Sequence, residues 1–214
     1  MRSVVLSLFL AACGTDALPP GESATFDAVD NLVVVTTTGR VEIVAHDASS
    51  IDVEVLPGNG SDTWSSDEGA DTLTIEARCS DDTVGCWVGF IIRVPTSTDL
   101  ELKADDGELA VKGALSGRID MTTTSGDVVG IDLGSASLSV LTNGEADVAF
   151  ADRPAEAVID GGAGDLTLTV PAGSYDLQLE GAGSDNVDVD VVDDDSSELI
   201  YLEAAGDKTV LADG

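Results

Sequence analysis

The residues best placed to do chemistry lie in Glu180-Gly181-Ala182-Gly183-Ser184-Asp185-Asn186-Val187-Asp188. At every defined position except the first, this stretch follows the nonapeptide GGxGxDxUx with which β-rolls hold calcium. Asp185 and Asp188 would supply oxygens, and Asp193 and Asp195 of the run Asp193-Asp194-Asp195 could add more, since calcium takes about six to eight oxygen ligands. Two features weaken the match. Calcium rolls share each ion between tandem copies, whereas Gly161-Gly162-Ala163-Gly164-Asp165, about 19 residues earlier, brings its aspartate one residue early. Three adjacent aspartates also point in different directions on an extended chain. A solvated turn is the expectation, with calcium as the alternative and no other cofactor. A Ser-His-Asp relay needs a histidine base held by an acid. The single histidine, His46, follows Ala45 at a strand end, where a solvated role is expected. Lys208-Thr209 lacks the glycine pattern of a phosphate loop. No catalytic residue emerges.

These residues must be positioned by a repeat. From Leu100 onward a glycine, usually followed by Asp or Glu, returns between runs of alternating apolar residues, at Gly107, Gly126, Gly144, Gly164, Gly183 and Gly206, in steps of 19, 18, 20, 19 and 23 residues. Such a period marks a stacked architecture, in which each unit buries its apolar side against the next. Positions two, four and six after the glycine are mostly apolar, as in Leu109 and Val111, in Ala146, Val148 and Phe150, and in Leu166, Leu168 and Val170. That is the period of a strand with one face inward. A second strand precedes each turn, as in Leu100 and Leu102, Ile119 and Met121, Leu138 and Val140, Leu177 and Leu179, and Ile200 and Leu202. The fold expected is all-β: a parallel β-solenoid, β-helix-like, with coils of about 19 residues and the N-terminal strands continuing or capping the stack. Gly, Thr, Ser, Asp and Val dominate and form helices poorly. The turn glycines are expected to take positive φ and the adjacent Asp or Asn to bond local backbone. The last coil, near Val210, has no evident cap and should leave an open edge for a partner or a second copy.

The 214 residues include 41 acidic and 9 basic ones, a formal charge of −32. Such a surface repels nucleic acid and anionic headgroups and keeps strand edges from pairing indiscriminately. Residues 1–12 read as a signal peptide, with Arg2, an apolar run from Val4 to Leu10 and small residues before a cysteine. Leu10-Ala11-Ala12-Cys13 resembles the bacterial lipoprotein lipobox, which implies acylation of Cys13, a lipid anchor in the membrane and a body outside it. Gly14 after the cysteine is compatible with export to the outer membrane, and so with an outer-membrane or cell-surface location. A leader of twelve residues is short and leaves room for a start upstream. Residues 13–25 read as a flexible tether, 26–98 as an N-terminal β region and 99–214 as the repeat solenoid. In the N-terminal region the strands expected are Leu32 to Thr36, Val41 to Ala45, Ile51 to Leu56, Thr72 to Ala77 and Val88 to Val94, with a long polar loop from Pro57 to Asp71. Cys79 and Cys86 flank a short loop between two strands. In an exported chain they are expected to form a disulfide, since a metal site would want CxxC spacing or more histidine.

Ile91 to Val111, IIRVPTSTDLELKADDGELAV, together with Ser125-Gly126-Asp127, Asn143-Gly144-Glu145 and Gly164-Asp165, resembles the bacterial putative-adhesin β-solenoid family, a domain of unknown function, over about Phe26 to Gly214. The resemblance implies a parallel β-helix-like fold on an envelope protein and carries over no catalytic residue. The function expected is a lipid-anchored, non-enzymatic binding or scaffold protein facing an envelope protein or a glycan, of undetermined oligomeric state. A calcium-stabilised scaffold is one alternative. The other is a polysaccharide-processing β-helix enzyme using Arg118 or Arg153, against which stands the shortage of aromatics in the repeat half, Phe150, Tyr175 and Tyr201.

Overall fold

The computed structural model describes residues 21, 23–59, 63–79, 86–134, 137–188 and 197–213. Cys13, Asp193 and Asp195 lie outside the described residues. The described residues form strands and turns, with no helix among them.

Alternation of β-branched and polar residues makes each coil two strands, one in each of two facing sheets, and in every coil but that of β6 and β7 a described glycine stands at the corner between them. The regular coils are β2 (Asn31–Thr38) with β3 (Val41–His46), β6 (Thr72–Arg78) with β7 (Trp87–Pro95), β8 (Asp99–Asp106) with β9 (Leu109–Lys112), and β10 (Arg118–Thr123) with β11 (Val128–Leu133). They continue as β12 (Ser137–Leu141) with β13 (Ala146–Phe150), β14 (Glu156–Gly162) with β15 (Leu166–Pro171), β16 (Asp176–Glu180) with β17 (Asp185–Val187), and β18 (Leu199–Ala204) with β19 (Lys208–Asp213). Neighbouring coils pair in parallel and mostly in register, with irregularities between Gly130 and Leu133 in β11 and between Asp160 and Gly162 in β14. Three further strands, β1 (Ser23–Asp27), β4 (Ser50–Asn59) and β5 (Thr63–Glu68), run antiparallel at one end, β4 on β7, β1 on β4 and β5 on β6.

The ten-stranded sheet has the order β1-β4-β7-β3-β9-β11-β13-β15-β19-β17, and the nine-stranded sheet β16-β18-β14-β12-β10-β8-β2-β6-β5. β2 lies against β8 and β3 against β9, so residues before and after Pro95 feed the same two sheets. The inward residues of both sheets, from Leu32 and Ile43 to Leu202 and Val210, merge into one buried cluster. At about 25 cal/mol per Å² of apolar surface removed from water, this shared interior is the main source of stability.

The polar stretch from Pro57 to Asp71 is not a continuous loop. β5 runs through it because Trp64, 4% exposed, packs edge-on against Phe90 with ring centroids 5.9 Å apart. The coil order also differs from the chain order. The last coil, β18 with β19, sits between β14/β15 and β16/β17. The strand holding Val210 is therefore paired on both sides, and among the described strands the last at this end are β16 and β17.

Cys79 and Cys86 are joined by a disulfide across the corner between β6 and β7. Thr37 Oγ1 accepts from the Cys79 N–H at 3.0 Å and Thr38 Oγ1 donates to the Cys86 carbonyl at 2.8 Å, tying this corner to the neighbouring coil. Reduction should cost about 2.5 kcal/mol, the loop-closure entropy of a short loop. Urea unfolding with and without reductant measures it, and coincident curves would contradict it.

Candidate functional site

The corners are built by contact between coils. A Cβ added at Gly126 would lie 1.6 Å from the Gly107 carbonyl oxygen, at Gly164 1.8 Å from that of Gly144, at Gly206 2.2 Å from that of Gly164, and at Gly183 1.7 Å from that of Gly206. Positive φ is found at Gly39 and Gly107 but not at Gly126, Gly144, Gly164, Gly183 or Gly206. Along most of the ladder, then, glycine is required by close approach of the next coil and not by backbone conformation, which corrects the expectation from sequence. The adjacent acids bond the next coil as well. Asp127 Oδ1 accepts from the Glu145 N–H at 3.0 Å, Asp165 Oδ1 from Asp207 N–H at 2.8 Å and Asp207 Oδ1 from Ser184 N–H at 2.9 Å. These Gly-Asp turns are structural rungs.

Asp185, the first calcium candidate, occupies the inward row that elsewhere holds Val128, Ala146 and Leu166. Its neighbour in that row is Lys208, 1% exposed, whose Nζ lies 3.0 Å from Asp185 Oδ1 and 3.5 Å from the Ala204 carbonyl oxygen. Asp188 follows β17, its N–H donating to the Val210 carbonyl at 3.0 Å. No cluster of three or more His, Cys, Asp or Glu with metal-ligand geometry is found among the described residues.

His46 is half-buried, and its Nε2 lies 2.8 Å from the Ser50 carbonyl oxygen, so it closes the turn from β3 to β4 where a solvated side chain was expected. Arg118 opens β10 on the outer face of the nine-stranded sheet and pairs with Asp120. Arg153 lies in the connection from β13 to β14, with its guanidinium carbon 5.0 Å from the centre of the Tyr175 ring and Nη2 3.6 Å from Glu198. The structure does not bring His46, Arg118 and Arg153 together. Arg40, Arg78, Arg93, Lys103 and Lys112 likewise pair with carboxylates. Every described cation therefore has an acid beside it, and the outer faces present carboxylates in excess.

Sequence reasoning missed the two tyrosine environments. Tyr175 is fully buried, its hydroxyl donating to the Pro171 carbonyl at 2.8 Å, and burial pushes its pKa up despite the nearby Arg153. Tyr201, on the outer face of β18, donates to Glu203 Oε2 at 2.8 Å, and chiefly this bond pushes its pKa up to about 12. Raised phenol pKa values stabilise the fold fully below the unfolded value near pH 10, and that contribution is lost as pH rises towards 12. Ultraviolet titration should show Tyr201 ionising near 12, and Glu203→Gln should bring it down; an unchanged curve would remove Glu203 as the cause.

Fold and site together define a repeat β-solenoid with structural turns and two broad, strand-built outer faces. The chain belongs to the Toastrack DUF4097 family, whose model matches residues 29–205. No curated protein matches it. Among solved structures it is similar to a putative cell adhesion protein from Clostridium sporogenes, at 10% identity over 90% of this chain and 100% of that one, with a TM-score of 0.48. It is also similar to a putative adhesin from Bacteroides fragilis, at 11% identity over 90% and 97% of the two chains, with a TM-score of 0.30.

Proposed function

We propose that this chain is a non-enzymatic binding or scaffold protein of the bacterial cell envelope, anchored by lipid on Cys13 and displaying its stack at the outer membrane or cell surface. The observation that carries the reading is the continuous two-sheet stack itself: a stiff body whose outward side chains repeat from coil to coil, about 4.8 Å apart. A partner that contacts several coils at once meets a ready-made array. Because the described cations are already paired with carboxylates, the faces suit an envelope protein or a neutral or cationic glycan better than an acidic polysaccharide. The engagement of Arg118 with Asp120 and of Arg153 with Glu198 also favours binding over cleavage of acidic glycans.

On this reading, cells expressing the full chain should incorporate a palmitate analogue into it. Cys13→Ser should abolish the label and move the protein from the membrane to the soluble fraction; a labelled, membrane-bound variant would refute the anchor. The protein should bind isolated envelopes saturably and release no product from them. Calcium is not needed: thermal melts with and without the ion should superimpose. A higher melting temperature in calcium, the mass-action mark of an ion bound to the native state, would favour the calcium-stabilised scaffold instead.

A further inference from the structure

The stack is finished differently at its two ends. At one end the antiparallel strands β1, β4 and β5 cover the first parallel coil. At the other, β16 and β17 are the last strands, and no described strand pairs with their outer sides.

The register shows which groups β16 leaves open. The Asp176 N–H donates to the Glu198 carbonyl at 2.8 Å, and along a parallel ladder alternate residues direct their backbone groups to the same side. Asp176, Gln178 and Glu180 therefore face β18, while Leu177 and Leu179 direct N–H and C=O away from the sheet. The side chains of these two leucines continue the inward row. In the preceding coils that row is Ile200 and Leu202, and Ala157 and Ile159, each 0% exposed. Leu177 and Leu179 are only half-buried. One edge thus combines backbone groups that have no partner among the described residues with an incompletely covered apolar row, the condition under which an extended segment adds to a sheet.

Charge selects the segment. Asp176 and Glu180 flank the edge on the outer face, and Asp188 follows β17 in the other sheet. A second copy would bring acid against acid, either its own Asp176 and Glu180 or, from the capped end, Asp27 of β1 and Asp67 and Glu68 of β5; like charges across a strand pair are destabilising. We propose that the open edge of β16 accepts an extended segment of another protein in which apolar residues alternate with Lys or Arg. Its apolar residues complete the cover over Leu177 and Leu179, and its cations lie beside Asp176 and Glu180. This rests on the binding reading above and gives that reading a contact site and a partner chemistry.

The test titrates the full chain with fluorescent acetyl-Lys-Val-Lys-Val-Lys-Val-amide and with its block isomer acetyl-Lys-Lys-Lys-Val-Val-Val-amide, which has the same charge and composition. The alternating peptide should bind about tenfold more tightly, and at saturation the Leu177 and Leu179 amides should gain protection from hydrogen exchange. Asp176→Asn with Glu180→Gln should weaken that binding about tenfold without moving the melting temperature. Equal affinity for the two isomers, or unchanged protection of those amides, overturns the inference. So does a peptide-free dimer in which the same amides are protected, since the edge would then belong to a second copy. Envelope binding is measured in parallel: if it persists while the peptide fails, the edge site falls and the envelope reading stands, and if the chain binds no envelope at all, that reading falls on its own.

Discussion

Gly126→Ala is expected to cost about 4 kcal/mol, at the severe end for a single substitution and a large share of a domain's stability. The added methyl would lie 1.6 Å from the Gly107 carbonyl oxygen, 2.5 Å from its carbon and 2.8 Å from its nitrogen. All three are backbone atoms, so no side chain can swing aside. Relief requires the two coils to separate at the corner, where several bonds resist. The Leu109 N–H donates to the Asp127 carbonyl at 3.0 Å and the Ser125 N–H to the Asp105 carbonyl at 3.2 Å, and on the far side Thr142 Oγ1 of the next coil donates to the Gly126 carbonyl at 2.6 Å, so Gly126 is held from both sides. Each such bond contributes roughly 1 kcal/mol when made, and a buried group left unpaired costs more. Gly69→Ala is the control: its nearest neighbour would be the Thr72 carbonyl oxygen at 3.3 Å, in an exposed turn, and its effect should stay within about 0.5 kcal/mol. Urea unfolding of the two variants beside the parent decides the matter. A loss at Gly126 no larger than at Gly69 would mean that the corners are loose and the glycine ladder does not hold the stack.

The regular coils were legible because their determinants are local. Leu109, Val111, Val148, Leu166 and Leu168 fall inward by the alternation of the strand alone, and the glycine step places one coil over the next. The order of the last two coils was not legible, because Leu177 and Leu179 offer the same inward pattern as Ile200 and Leu202. Only the fit against β14 and β15, a property of distant neighbours, puts β18 and β19 inside and β16 and β17 outside. The role of the turn glycines was hidden for a similar reason: what excludes a Cβ at Gly164 is the carbonyl of Gly144, twenty residues away in sequence. β5 was masked by its polar composition, with Trp64 as its only strong apolar signal. At Asp185 the structure shows an ion pair with Lys208, where the sequence suggested a calcium ligand. A signal for the pair was present, since the same counting rule that places Leu166 inward also places Lys208 there, and a lysine in a buried row demands a counter-charge.

That counter-charge gives the second large effect. Asp185→Ala is expected to destabilise the fold by about 3 kcal/mol, because it leaves the Lys208 ammonium buried without its ionic partner. Lys208 is 1% exposed and its other polar contact among the described residues is the Ala204 carbonyl oxygen at 3.5 Å, whereas the Asp185 side chain is 47% exposed and would be hydrated if left alone. The two deletions are therefore unequal. Lys208→Met keeps an unbranched apolar chain of similar length in the row of Val128, Ala146 and Leu166 and removes the buried charge, so it should change stability by less than about 1 kcal/mol in either direction. Combining Lys208→Met with Asp185→Ala should restore most of what Asp185→Ala alone loses, a coupling of about 2 kcal/mol across the cycle. Hydrogen exchange adds a positional readout: in Asp185→Ala the protection should fall first in β17 and in β19, where Lys208 and Val210 pair with Asp185 and Val187, and last in β9 and β11, farther down the stack. Additive losses in the double variant would show that the ion pair is incidental. Recovery would show that one lysine, set in an otherwise apolar row, fixes the terminal coil on the stack and with it the position of the open edge.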